Sequence, residues 1–350
     1  MTKSKSVNRE SVKILKDIGW SIVKSIPIAG AHIESAEKVF SLFNAYQKAS
    51  CQERFESYIL GIEKIADDEV EISREHFVSL VRKMMLDDED RKSEYYARLT
   101  VGLAKSNLND EERHFHIKAL SDLTCFDIDY ARRLYIATNT PIKGFKTSAL
   151  AQASITSQKK ALSLRSLNKL ISSGLVYEDR TGEVKTSPGY KLTNDLERFL
   201  KFIFHNDDLQ PTALSIESKD EYDVIIIDSD KIYRDSYPNI IYHKLRDAGV
   251  KVCIEKSEDC IAHKRAKFFI TAKQGSGLNG FGDWINYGDI NVLTHLDNNI
   301  NSFYDNAFRE TVDYEHFSPI DDDPSFDASK LNAALNKVAA FVLGRLSLST

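Results

Sequence analysis

A chain of 350 residues with 42% hydrophobic and 28% charged residues is too apolar for a disordered tail, and a net charge of −5 excludes a general basic coat for nucleic acid. The length exceeds what one core usually serves, so two or three domains are expected. Cys51, Cys125, Cys253 and Cys260 lack CxxC spacing, which argues against a zinc site and a secreted disulfide framework and predicts a cytoplasmic protein without metal or cofactor.

The chain opens with an amphipathic pattern over residues 7–26. Ile14, Leu15, Ile18, Ile22 and Ile26 share a face, with Lys13, Lys16, Lys24 and Trp20 across from it. A basic helix with a Trp can lie on an anionic membrane, but the same stripe marks a helix docked on its own protein, and docking is the cheaper reading. No apolar run reaches the roughly 18 residues of a membrane span.

Residues 31–140 form the expected helical domain, with segments at 31–49, 51–66, 73–86, 88–105, 110–122 and 127–138. The acidic clusters at Asp67-Asp-Glu69 and Asp87-Asp-Glu-Asp90 fall where helices begin, so capping explains them more cheaply than metal binding. His114 and His116 stand two apart on a helix and cannot ligate one metal.

Residues 141–204 read as a winged helix. A patch over 147–155 precedes a helix capped by Thr156 or Ser157 and stopped at Gly174. A strand, a Thr181-Gly182 tip, a returning strand and a closing helix over 195–204 follow. The spacing puts Leu164, Leu167 and Ile171 on the buried face of the second helix and Arg165, Ser166 and Lys169 on the opposite one. The segment holds 11 Lys and Arg against 5 Asp and Glu in an otherwise acidic chain. Lys159, Lys160, Arg165 and Lys169 on the helix, with Arg180 and Lys185 on the wing, are the candidate nucleic-acid contacts. No Asn or Gln is expected in a position to read bases.

After a linker at 205–220, alternating β and α patterns over 221–350 predict an α/β domain with a mainly parallel sheet: strands at 223–228, 250–254, 266–271 and 291–295, and helices at 238–248, 298–310 and 328–346. The expected whole is a multidomain α+β chain. Asp228 and Asp230 follow a buried strand, where a phosphatase or a magnesium-dependent nuclease would keep its carboxylates, although a turn or cap is the commoner use. There is no GxSxG, HExxH or GxxxxGK[ST] motif.

Three resemblances bear on function. Leu245-Arg-Asp-Ala-Gly-Val-Lys-Val252, Ala262-His-Lys-Arg-Ala-Lys-Phe-Phe-Ile-Thr271 and Asp289-Ile-Asn-Val-Leu293 resemble half of a phospholipase-D-type nuclease core. Arg265-Ala-Lys267 stands where that family has its His-x-Lys, with His263 displaced by two residues, so no phosphohistidine step carries over. The resemblance implies at most phosphate binding through Arg265 and Lys267; together with Asp228, Asp230 and His263 these residues make up the candidate ligand pocket of the C-terminal domain. Tyr222-Asp-Val-Ile-Ile-Ile227 with Ala248-Gly-Val-Lys-Val252 is similar to the start of a TIR-like fold, but residues 272–300 hold no glutamate for its catalysis. Ile26-Pro-Ile-Ala-Gly30 before an acidic helical region, with Leu167-Asn-Lys-Leu-Ile-Ser-Ser-Gly-Leu175 and Leu192-Thr193, resembles bacterial abortive-infection-type proteins of the helical alpha class. That resemblance implies a cytosolic antiviral defence or regulatory protein. Its winged helix would contact duplex DNA or a partner protein, and its C-terminal domain would be a sensor or effector. The alternative is a phosphodiesterase-like or nucleotide-binding effector enzyme acting through the C-terminal domain.

Overall fold

The computed structural model describes residues 37–65, 72–179, 189–228, 236–272, 277–278, 284–285, 290–295, 312–317 and 328–347. The protein is mixed α+β and divides into two compact units, one formed by residues 1–135 with 155–210 and the other by 136–154 with 211–350. The expected helices over 7–26 and 298–310, and the acidic cluster at 67–69, lie outside the described residues.

In the first unit, α1 (Glu37–Ile65), α2 (Arg74–Met85), α3 (Lys92–Ala104), α4 (Asp110–Asp122) and α5 (Cys125–Asn139) precede α7 (Ala161–Ser172). The β1 (Val176–Asp179) and β2 (Gly189–Leu192) ribbon and α8 (Asn194–Ile203) complete it. The two helices expected over 31–66 are one continuous α1 from Glu37. Local chemistry fixes several ends. The Asn109 side chain accepts from the Glu112 amide at 2.9 Å while the Glu112 carboxylate accepts from the Asn109 amide at 2.9 Å, a reciprocal cap that starts α4. Thr193 caps α8. Gly174, at φ 69°, takes the left-handed turn that ends α7.

One core joins these elements. Phe55, Tyr58 and Ile62 of α1, Phe77 and Leu80 of α2, Leu99 of α3, Leu120 of α4, Leu134 of α5, Leu170 of α7 and Phe199 of α8 are all buried in it. No core boundary falls at 140/141, where the sequence suggested separate helical and winged-helix domains. α3 is buried almost all round, which marks it as the central helix. It meets its neighbours through small residues: a Cβ at Gly61 would lie 2.7 Å from Ala97 Cβ, and one at Gly102 would lie 2.6 Å from Phe202 Cδ1. Gly102→Val is therefore expected to destabilise the protein by about 1–3 kcal/mol through overpacking, read as a lower urea midpoint.

The second unit holds a five-stranded sheet in the order β4-β3-β5-β8-β9. Its strands are β3 (Asp220–Ile227), β4 (Val252–Glu255), β5 (Lys264–Ala272), β8 (Ile290–His295) and β9 (Val312–Phe317). β3 runs parallel to β4 and β5, whereas β5, β8 and β9 pair antiparallel. The sheet is mixed, which corrects the expectation of a mainly parallel one. Parallel neighbours need a long crossover, as α9 (Ser236–Asp247) provides between β3 and β4. Between β5 and β8 the described elements are only the short antiparallel β6 (Gly277–Leu278) and β7 (Trp284–Ile285), so the chain returns antiparallel. Val224, Ile226, Phe268 and Ile270 pack with Ile241 and Leu245 of α9 and with Leu335, Val338 and Val342 of α10 (Ala328–Ser347), while Ile225, Ile227, Phe269 and Leu293 pack with Ile261 in a second cluster.

α6 (Ser148–Thr156) begins in this second unit, so the expected 141–204 module is divided. The reason is the backbone ahead of α6. Ile142 bridges Ser218, the Gly144 amide donates to the Ala262 carbonyl at 2.7 Å, and the buried Lys219 ammonium donates to the Lys146 carbonyl at 2.9 Å. Lys146 also pairs with Asp259 at 2.7 Å. Among the described residues no helix is long and apolar enough to cross a membrane.

Candidate nucleic-acid interface

The geometry of α7 departs from its sequence pattern. Its buried residues are Ser163, Ser166, Leu167 and Leu170, an i, i+3, i+4, i+7 set, while Leu164 is exposed. At 100° per residue this buried arc is rotated by roughly 80° from the one centred on Leu164, Leu167 and Ile171. The cause is Asp127, a buried carboxylate in the first turn of α5. Ser166 Oγ donates to Asp127 Oδ1 at 2.6 Å and Lys169 Nζ donates to Oδ2 at 3.0 Å. The Thr124 amide donates to Oδ2 at 2.9 Å, and the Asp127 amide donates back to Thr124 Oγ1 at 3.2 Å. One carboxylate thus completes the reciprocal cap that Thr124 begins on α5 and holds α7 by its polar stripe. Lys169 is committed to that ion pair and Ser166 is fully buried, which corrects their placement on an outward recognition face.

The outward arc is made by Leu162, Leu164, Arg165 and Asn168, with Lys159 and Lys160 exposed just ahead of it. Lys159, Lys160 and Arg165 have no acidic partner among the described residues. Lys160, instead of Thr156 or Ser157, is the residue preceding the helix, and no side-chain cap bonds the first turn of α7. The first amides of α7 therefore keep their hydrogen-bonding capacity and the positive end of the helix dipole beside two lysines, the arrangement that receives a phosphate oxygen. Asn168 shares the arc with Arg165. The sequence reading missed it, because it took the wrong residues for the buried face. Arg180 and Lys185 of the expected wing lie outside the described residues. On the ribbon, Lys191 pairs with Asp179 at 2.9 Å and Tyr177 is exposed.

The second candidate set does not converge. Asp228 follows the C-terminal end of β3, where its amide donates to the Glu255 carbonyl at 2.7 Å, and Asp230 lies outside the described residues. His263 precedes β5 at the opposite end of the parallel strands, where its carbonyl accepts from the Asp220 amide at 3.0 Å. Arg265 pairs with Glu221 at 2.9 Å, and Lys267 lies 3.8 Å from Asp223. Glu221 and Arg265 are also register partners, so Asp228 stands about 20 Å further along the strand direction than Arg265. His263, Arg265 and Lys267 therefore share no pocket with Asp228. Among the described residues no group of His, Cys, Asp and Glu could hold a metal ion. His116 is buried against Phe199 and Phe202 while His114 meets His76 from α2, so the two histidines do diverge.

Comparison with protein-family models, curated proteins and solved structures finds no match to this chain.

Proposed function

We propose that this is a regulatory protein in which α7, the β1–β2 ribbon and α8 act as a winged-helix element on duplex DNA. The observation that carries this reading is the start of α7: first-turn amides without a side-chain cap, beside exposed Lys159 and Lys160, with Arg165 a turn further along the same arc. Phosphates would supply most of the affinity, and Asn168 is the residue best suited to meet an adenine edge. Lys169 is left out of the contact set. The wider reading, a cytosolic defence protein of abortive-infection type with a helical unit and a C-terminal sensor or effector, rests on the sequence resemblance. The strand register argues against a single phosphate pocket that joins Asp228 to Arg265 and Lys267; the alternative of a metal-dependent phosphodiesterase would run through Asp228 and Asp230, the second of which lies outside the described residues.

The test is retention of a short duplex by the full chain at low salt. Lys159→Glu, Lys160→Glu and Arg165→Glu combined should abolish retention, and the single variants should each reduce the salt slope by about one. A second reading, that the same arc docks a protein, is favoured by Leu162 and Leu164, which are 56% and 45% exposed. Unchanged retention in the triple variant would sink the DNA reading. Loss of retention in Leu162→Ala with Leu164→Ala, at intact charge, would show that the leucines form part of the contact.

A further inference from the structure

The first unit carries an open cavity of about 670 Å³ between α2 and α4 that none of the readings above uses. Its size falls within the roughly 300–1,000 Å³ typical of small-molecule sites. Arg74, Arg82 and Lys83 line it with His114, against the single carboxylate of Glu75, and Val78 lies between the two charged ends of α2. The three cations have no acidic partner among the described residues. Arg82 and Lys83 sit in the last turn of α2, where the helix dipole favours them. Arg74 sits in the first turn, where the dipole opposes it, so helix stability does not account for its place.

The His114 ring is oriented from behind. The Asp110 carbonyl can only accept, so His114 Nδ1 carries the hydrogen it donates there at 2.9 Å. The same nitrogen lies 3.2 Å from Nε2 of the buried His76, and His76 Nδ1 lies 2.5 Å from Oγ of Ser73, the residue that caps α2. With Nδ1 committed to this chain, His114 has Nε2 left for the cavity it lines.

We propose that this cavity binds a nucleotide carrying a polyphosphate. The positive charge exceeds the negative by two before His114 is counted. Arg74 and Arg82 are eight residues apart on one helix, about 12 Å along its axis, with Lys83 beside Arg82, a spread of cations that suits a ligand with charge distributed along its length. Val78 offers apolar surface for a base or sugar, and Glu75 accepts from a hydroxyl or amino group. This site is separate from the α7 arc and does not depend on the DNA reading.

The experiment is calorimetric titration of the full chain with ATP, pyrophosphate and inorganic phosphate in turn. ATP should bind at one site per chain and at least about tenfold more tightly than inorganic phosphate. Arg74→Ala with Arg82→Ala should weaken ATP at least about tenfold, and Lys83→Glu alone should also weaken it. Arg74 and Arg82 are exposed, so the double variant should leave the melting temperature unchanged; Lys83 is half-buried, so its variant is compared with wild type at matched folded fraction. Absence of ATP binding at millimolar concentration, or binding unaffected by both variants, overturns the proposal. So does a double variant that loses duplex retention in a protein that never bound ATP, since the cations would then be nucleic-acid contacts.

Discussion

Asp127→Ala is expected to lower the stability of the protein by about 3 kcal/mol at pH 7. The change removes the carboxylate half of the reciprocal cap at the start of α5, leaving the Thr124 half, strands the buried hydroxyl of Ser166 and leaves the Lys169 ammonium without its counter-charge. Burial pushes the Asp127 carboxyl up, but the hydrogen bonds from Ser166, the Thr124 amide and Lys169 outweigh it and hold the group below the ordinary carboxylate range. A folded-state value below the unfolded one contributes stability that is fully present above about pH 4 and is lost as pH falls through the folded value. Urea denaturation of wild type and variant should therefore show a gap at neutral pH that narrows in acid. A gap below about 1 kcal/mol at pH 7 would mean that Asp127 does not hold α7. Lys169→Met should cost little in the Asp127→Ala background, because the partner is already gone.

His116→Phe should act in the opposite sense and stabilise the protein by about 1–2 kcal/mol. His116 is fully buried on α4, its ring parallel to that of Phe199 at 7° and edge-on to Phe202 with centroids 5.3 Å apart. Neither ring nitrogen has a hydrogen-bond partner among the described residues. Phenylalanine keeps the aromatic contacts and removes two polar atoms whose desolvation nothing offsets. Burial also pushes the imidazole down from its ordinary value, with Asp195 pulling weakly the other way. The folded state then holds His116 neutral while the unfolded chain takes up a proton below about pH 6.5, so wild-type stability falls as pH drops through that window. The advantage of the variant should grow from pH 7 to pH 5. A lower melting temperature for His116→Phe at pH 7 would overturn the assignment of His116 as an unsatisfied buried polar group.

These two side chains also mark where sequence patterns stop being informative. The diverging directions of His114 and His116 follow from their spacing alone, but nothing local distinguishes a histidine that meets another across α2 and α4 from one packed among phenylalanines. Likewise, Ser166 and Lys169 read as an outward polar stripe because periodicity separates polar from apolar and does not separate solvent from a buried carboxylate 39 residues upstream. Once Asp127 is in place, Ser163 and Ser166 become core positions and Leu162 and Leu164 become surface, and Asn168 comes round beside Arg165.

By itself the sequence determined the elements whose causes are local. In the first unit α2, α4, α5 and α8 start and stop near their expected bounds and α7 ends where expected, because residues such as Asn109, Thr193 and Gly174 satisfy or terminate backbone groups within a few residues of themselves, whereas α3 and α7 begin about four residues later than their patterns suggest. β3, α9, β4 and β5 follow from runs of branched apolar residues and from Gly249, at φ 84°. Only the tertiary structure decided how those elements are shared out. The ties of Gly144, Lys146 and Lys219 draw the start of the expected winged helix into the second unit, and the core drawn from α1 to α8 takes the rest into the first. The direction of β8 and the separation of Asp228 from Arg265 belong to the same class. Each depends on pairing between segments distant in the chain, where the energy comes from contacts that no local window contains.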